Sequence, residues 1–343
     1  MKSLLCISFL ALLLASCSVD PELKPILPAD NVKEIIPPGW PQPFYGFNNN
    51  TITNEKFVLG RALFYEPMFS LDNTISCGSC HQQFSAFAQN AHQFSHGING
   101  LLGTRNSPAL QNLVWNPAYL HDGGVNNIEM FPPAPITNPV EMNETLQHVV
   151  QKISQSAKYK DLFVKAYGND TVTTQRMFRA ITQFIGTMYS YNSKYDKVKR
   201  GEETFTASEQ NGYTVFAQKC ATCHKEPLFS DYQYRSNGLS INTAINDSGR
   251  AHITHNPLDR YKFKTPSLRN VEVSGPYMHD GRFQNLNECL DHYNSGIVTL
   301  PNLDPLLING ISLNSQDKND IIAFLKTLTD HQFLTDKRFS DPN

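Results

Sequence analysis

The pattern Cys-X-X-Cys-His occurs twice in this chain, as Cys77-Gly78-Ser79-Cys80-His81 and as Cys220-Ala221-Thr222-Cys223-His224. Each copy has the form of a c-type haem attachment site. Two thiols at that spacing can add to the porphyrin vinyl groups, and the adjacent imidazole can reach the iron. With 7 Cys and 11 His in 343 residues, chance supplies roughly 0.005 copies, so the pair is not accidental. Zinc sites and thioredoxin-like pairs also use Cys-X-X-Cys, but neither needs a histidine directly after both second cysteines. Two covalent haem c groups constrain the fold. Each half of the chain is expected to organise its core around one of them.

The other cysteines fit this assignment. Cys6 lies in a short apolar run, Leu4 to Leu14, behind Lys2. That is the form of a signal peptide, over residues 1–16, too short to span a bilayer. The run closes in Leu14-Ala15-Ser16-Cys17, which resembles a bacterial lipobox and implies lipidation of Cys17. Ser18 in place of Asp resembles outer-membrane sorting, so the expected location is the cell envelope, outer membrane, facing the periplasm. Residues 17–50 carry Pro21, Pro25, Pro28, Pro37, Pro38, Pro41 and Pro43 and read as an extended tether. Only Cys289 is then left, so no internal disulfide is expected, and its thiol reads as a small buried hydrophobe. Charges balance at 29 basic to 31 acidic residues, which gives no electrostatic case for nucleic acid.

Periodicity gives a mainly α-helical fold. A helix over 55–63 leads into the first motif. Residues 82–142 are dense in Gly, Pro and Asn, a loop length that is usually functional. Apolar spacing predicts one helix over 146–167 and another carrying Met177 to Met188. The polar stretch 192–204 reads as a domain boundary. Thr206-Ala207-Ser208-Glu209 has capping-box form and opens a helix into the second motif. A last helix spans about 315–329. The expected architecture is two cytochrome c-like haem domains, 51–200 and 201–335, with long loops and little β-structure.

Further motifs stand in order around the two haem signatures: Arg105-Asn106-Ser107-Pro108, Asn138-Pro139-Val140-Glu141-Met142, Lys264-Thr265-Pro266-Ser267-Leu268-Arg269-Asn270 and Gly275-Pro276-Tyr277-Met278-His279-Asp280-Gly281. From about residue 54 to 330 the chain resembles the bacterial di-haem cytochrome c peroxidase family, MauG-type enzymes included. The resemblance implies a peroxidatic haem on His81 with an open iron position for hydrogen peroxide. It also implies an electron-transfer haem on His224, fed by a small periplasmic cytochrome c or cupredoxin. Glu141 matches the family's active-site Glu, which moves a proton between the peroxide oxygens. His96 aligns with a histidine that caps the first haem in the resting state, and His92 competes for that role. Tyr293 falls where ordinary family peroxidases carry an axial Met and MauG-type proteins carry a ligating Tyr; Met278 and His292 are the alternatives. Met/His ligation raises a haem potential, whereas a phenolate stabilises ferric and higher states.

Two departures stand out. His121 occupies the usual place of a relay Trp, for which Trp115 is a substitute or a packing residue. Phe131 replaces a Gln near the peroxide pocket. The resemblance also implies a calcium ion held by Asn106, Ser274 and Pro276, through oxygen ligands that suit it, and relatives are often homodimers. Three functions follow: a peroxide-reducing peroxidase, a MauG-type enzyme that uses peroxide to oxidise another substrate through a high-valent Tyr-ligated haem, or a non-catalytic electron carrier.

Overall fold

The computed structural model describes residues 32–90 and 92–342. The expected signal peptide and Cys17 lie outside the described residues. Among those described, no helix is long and apolar enough to cross a membrane.

The two halves share a plan. The helix Asn54–Phe64 is capped by the Thr53 side chain and buries Phe57, Leu63 and Phe64. It crosses the helix Thr174–Gly186 so closely that a Cβ on Gly60 would sit 1.9 Å from the Ala180 carbonyl oxygen. In the second half the helix Ala207–Lys219 starts at the Thr206/Glu209 capping box, as the sequence predicts. It crosses Ser315–Lys326, and a Cβ on Gly212 would sit 1.9 Å from the Asp320 carbonyl oxygen. In each half, the helix that runs into Cys-X-X-Cys-His therefore meets a later helix backbone to backbone, through a glycine. Among the described residues the one two-stranded sheet is the short antiparallel Tyr234–Arg235 with Phe263–Lys264.

Three details depart from the periodicity. The 146–167 segment forms two helices, Leu146–Gln155 and Ala157–Tyr167. Ser156 between them is extended (φ −77°, ψ 122°). Its N–H bonds to Ile153 O and its own carbonyl receives Lys160 N–H, so one residue ends a helix and starts the next. The break lets Val149 and Ile153, then Tyr159 and Phe163, face the same core. The polar stretch 192–204 holds a further helix, Lys194–Lys199, whose Asp196 pairs with the buried Arg269 at 2.8 and 2.9 Å. Finally, the end of the chain returns to the first half. Phe333 and Phe339 join the core of Phe57, Phe87 and Phe184. Tyr65 Oη donates to Phe339 O at 2.7 Å, and Gln83 Nε2 to Asp336 O at 2.7 Å.

The halves meet through an internal duplication. Pro108 and Pro266, Tyr119 and Tyr277, His121 and His279, and Gly123 and Gly281 are each 158 positions apart (266 − 108). Leu120 and Met278 both have positive φ, at 66° and 71°. The contacts are reciprocal: Asn106 N–H donates to His279 O at 2.8 Å, and Lys264 N–H donates to His121 O at 2.7 Å. Asn106 and Lys264 are themselves 158 apart (264 − 106), so the pair of bonds follows the duplication.

Substituting Gly60→Ala or Gly212→Ala should destabilise the protein by about 1–3 kcal/mol or more, since a methyl group must push two packed helices apart. Denaturant melts that leave either midpoint unchanged would contradict the close crossing.

Candidate haem sites

In the first motif Cys77–Cys80 forms a single helical turn, closed at its start by Ser76 N–H bonding to Ser79 Oγ at 3.0 Å. Residues three apart on a turn share a face, so the turn presents both thiols together. The thiols are unpaired and half-buried. Burial pushes Cys77 up to about 12 and Cys80 to about 11, which keeps both protonated. His81 follows. Its Nδ1 donates to Phe87 O at 2.6 Å, because Phe87 takes a left-handed turn (φ 59°) that points its carbonyl back. The Pro108 carbonyl also reaches this ring, and burial pushes the imidazole down to about 4. A proton fixed on Nδ1 leaves the Nε2 lone pair for a metal.

The second motif repeats this arrangement. His224 Nδ1 donates to Phe229 O at 3.0 Å, and Phe229 has φ 54°. The Pro266 carbonyl reaches His224, and burial lowers that imidazole too. Cys220 is pushed up to about 12 by burial. Two thiols and one neutral, tautomer-fixed imidazole at each site fit a covalently attached haem. Among the described residues no group of three or more His, Cys, Asp or Glu side chains converges to hold a metal ion.

Around the first motif the fold gathers the expected catalytic residues. Asn138 Nδ2 donates to Glu141 Oε1 at 2.7 Å. Burial pushes the Glu141 carboxyl up, and the Asn138 bond partly offsets this. Glu141 is near enough to Cys80 for its charge to raise that thiol. The loop that carries His96 is pinned to it: Ile98 N–H donates to Glu141 O at 2.8 Å, and a Cβ on Gly97 would lie 2.0 Å from Val140 O. His96 is exposed, its carbonyl 4.0 Å from Cys80 Sγ, and its ring lies edge-on to His92 at 4.7 Å. Both candidate caps therefore flank the same site.

Around the second motif, Tyr293 sits in a π turn, His292–Gly296. Such turns are rare and recur at functional sites. Burial pushes its hydroxyl up to about 12, while a hydrogen bond from Asn237 acts the other way; the thiols of Cys220 and Cys223 are close enough to contribute. Met278 Sδ accepts from Asn237 Nδ2 at 3.5 Å. His292 is buried and its Nε2 donates to Asn237 O at 3.0 Å, so that nitrogen is committed to the backbone. Tyr293 and Met278 remain as candidates to face an iron. Asn237, which touches all three, has no sequence signal: it is a lone polar residue in a loop.

The other sequence candidates divide. His121 is half-buried, with Nε2 donating to Asn106 O at 2.9 Å, and desolvation pushes it down to about 4. Trp115 is a packing residue in a separate cluster with Trp40 and Tyr189, ring centroids 4.9 and 5.8 Å away. Phe131 lies against Tyr119 at 5.7 Å. Asn106 is buried; its amide donates to Gln93 O at 3.2 Å, and its main chain is tied to His279, which brings it to the turn that carries Ser274 and Pro276. Cys289 is half-buried, its thiol pushed up to about 12 by burial. Arg105, within a motif but unassigned by sequence, binds Asp247 at 2.6 and 2.8 Å and Asp122 at 2.6 Å. The duplicated Tyr-X-His-Asp-Gly at 119–123 and 277–281 was the available signal for this interface.

The family profile described as di-haem cytochrome c peroxidase matches residues 54–204. The methylamine utilization protein MauG of Methylorubrum extorquens is 33% identical over 285 residues, spanning 81% of this chain and 79% of its own. The cytochrome c551 peroxidase of Nitrosomonas europaea is 32% identical over 278 residues, 80% of each chain. Among solved structures, a MauG-like protein associated with microbial copper homeostasis superposes with a TM-score of 0.81 at 30% identity, covering 90% of this chain and 98% of that one.

Replacing Cys80→Ser should remove one thioether at the first site while leaving the second site intact. Mass spectrometry and a pyridine haemochrome assay read this directly. An unchanged first site, with both of its thioethers still formed, would sink the attachment assignment.

Proposed function

The chain belongs to the di-haem cytochrome c peroxidase family, and from that premise we propose that it reduces hydrogen peroxide at the site of Cys77, Cys80, His81 and Glu141. It is a di-haem peroxidase and carries two haem c groups. The first is held by Cys77, Cys80 and His81, the second by Cys220, Cys223 and His224. The haem iron supplies the redox centre at which peroxide is bound and its O–O bond broken. The net reaction takes two electrons and two protons per peroxide and releases two waters.

The observation that carries this reading is the half-buried Glu141 carboxyl beside Cys80, with one oxygen fixed by Asn138. Oε1 is occupied by the Asn138 amide, so Oε2 exchanges protons. It takes one from the nearer peroxide oxygen and returns it to the departing one. Gly97 keeps the loop close, and His96 on that loop caps the site at rest, with His92 beside it. Tyr293 would complete the second site, where a haem held by Cys220, Cys223 and His224 would supply electron transfer. The donor is a small periplasmic cytochrome c or cupredoxin. Asn106, Ser274 and Pro276 would hold a calcium ion, for which their oxygen atoms are suitable ligands. Cys17 anchors the protein to the outer membrane on its periplasmic side, and the active form is a homodimer.

A second reading is favoured by one residue. Tyr293 suits a MauG-type enzyme that directs the oxidising power of peroxide to another substrate, since a phenolate stabilises higher oxidation states.

Glu141→Gln should lower peroxide turnover about 10²-fold or more while both haems stay attached. Turnover at the parent rate in a fully loaded Gln variant would refute the role. A pH profile gives an independent check. The base form of Glu141 is present above its pKa and is lost as pH falls through it. Burial raises that pKa and Asn138 lowers it. Asn138→Ala should therefore move the acidic limb of kcat/KM to higher pH; a shift to lower pH would contradict the hydrogen bond.

A further inference from the structure

Three side chains compete to close the second haem site, and one residue touches all of them. Asn237 O accepts from His292 Nε2 at 3.0 Å. Asn237 Nδ2 donates to Met278 Sδ at 3.5 Å. The same side chain lies close enough to the Tyr293 hydroxyl to act on it.

Asn237 is held firmly enough to act as a fixed reference. It follows the Tyr234–Arg235 strand. Its neighbours are tied by main-chain bonds on both sides: Asp304 N–H donates to Ser236 O at 3.0 Å and Val298 N–H donates to Gly238 O at 2.8 Å. Gly238 has φ 72°, and a Cβ there would lie 2.5 Å from Ile297 Cγ2, so only glycine permits the turn. The Oδ1 of Asn237 accepts from Leu239 N–H at 3.4 Å, which fixes the amide's orientation and points its two N–H donors away from the loop.

We propose that Asn237 is a positioning residue that selects the ligand of the second haem: its amide occupies the Met278 thioether and steers the Tyr293 hydroxyl towards the iron. The inference rests on the reading that Tyr293 is that ligand. A thioether is a weak acceptor with little to offer a second partner once it is engaged. A hydroxyl that receives an N–H bond keeps a lone pair for a metal. His292 is removed from the competition by the Asn237 carbonyl. One asparagine thus acts on all three candidates, on His292 through its carbonyl and on the other two through its side-chain amide.

The test uses the fully loaded protein, with two haems per chain verified by pyridine haemochrome. Asn237→Leu keeps the bulk and removes the amide; Asn237→Ala is the second variant in case one folds poorly. Both should move the ferric optical and EPR signature of the second haem from a phenolate type towards a thioether type, and shift its midpoint potential upward. Adding Met278→Leu to either should reverse the shift. If Asn237→Leu and Asn237→Ala leave signature and potential as in the parent, or if Met278→Leu does not reverse the change, the proposal is wrong. Tyr293→Phe in the parent separates the two ideas. A changed signature there with inert Asn237 variants discards only the role of Asn237. An unchanged signature discards the Tyr293 ligation, and the role of Asn237 with it.

Discussion

Two main-chain hydrogen bonds hold the halves together and also aim both imidazoles. Asn106 N–H donates to His279 O, and Lys264 N–H donates to His121 O. Two residues beyond Asn106, the Pro108 carbonyl reaches His81; two residues beyond Lys264, the Pro266 carbonyl reaches His224. Proline fixes φ, so these short segments have little slack. The contact that joins the halves is therefore also what orients the two proximal ligands. Arg105, next to Asn106, fixes the same region from the side. Burial opposes a charge on Asp247, yet the Arg105 guanidinium holds that carboxyl below its ordinary range. An ion pair so placed resists sliding of one half over the other.

The shared scaffold makes the differences between the sites easier to interpret. Both have a glycine-mediated helix crossing, a left-handed Phe that supplies a carbonyl to the histidine, and a Pro that supplies another. What distinguishes them comes from loops. One half brings in a carboxylate on a fixed amide, with exposed histidines beside it. The other brings in a half-buried phenol in a π turn, with a thioether and an asparagine. Proton handling and electron handling are thus divided by what the loops add to a common frame.

Much of this was legible in the sequence, because it depends on local spacing. The two attachment motifs, the capping box at Thr206 and the helices that lead into each motif all rest on residues a few positions apart. The split at Ser156 was not legible: apolar periodicity continues across a single extended residue that caps both helices. The return of Phe333 and Phe339 to the first core pairs residues more than half the chain apart, which no local pattern reports. Glu141 was recognisable only within its motif, and Asn237 had none. The duplication at an offset of 158 was present throughout in the identities at Pro108, Tyr119, His121 and Gly123. It was obscured because the haem motifs themselves are 143 apart (220 − 77), so the two halves do not align on one offset.

The C-terminal return bears on how the molecule matures. Domains tend to fold in the order in which they are synthesised. Here the half that is made first cannot finish its core until residues 333–339 arrive, since Phe333, Phe339 and the bonds from Tyr65 and Gln83 complete it. During that interval the Cys77–Cys80 turn belongs to a core with one wall missing. The second core has no such dependence on the returning segment. The two halves thus differ in how their cores are closed, much as their loops make them differ in chemistry.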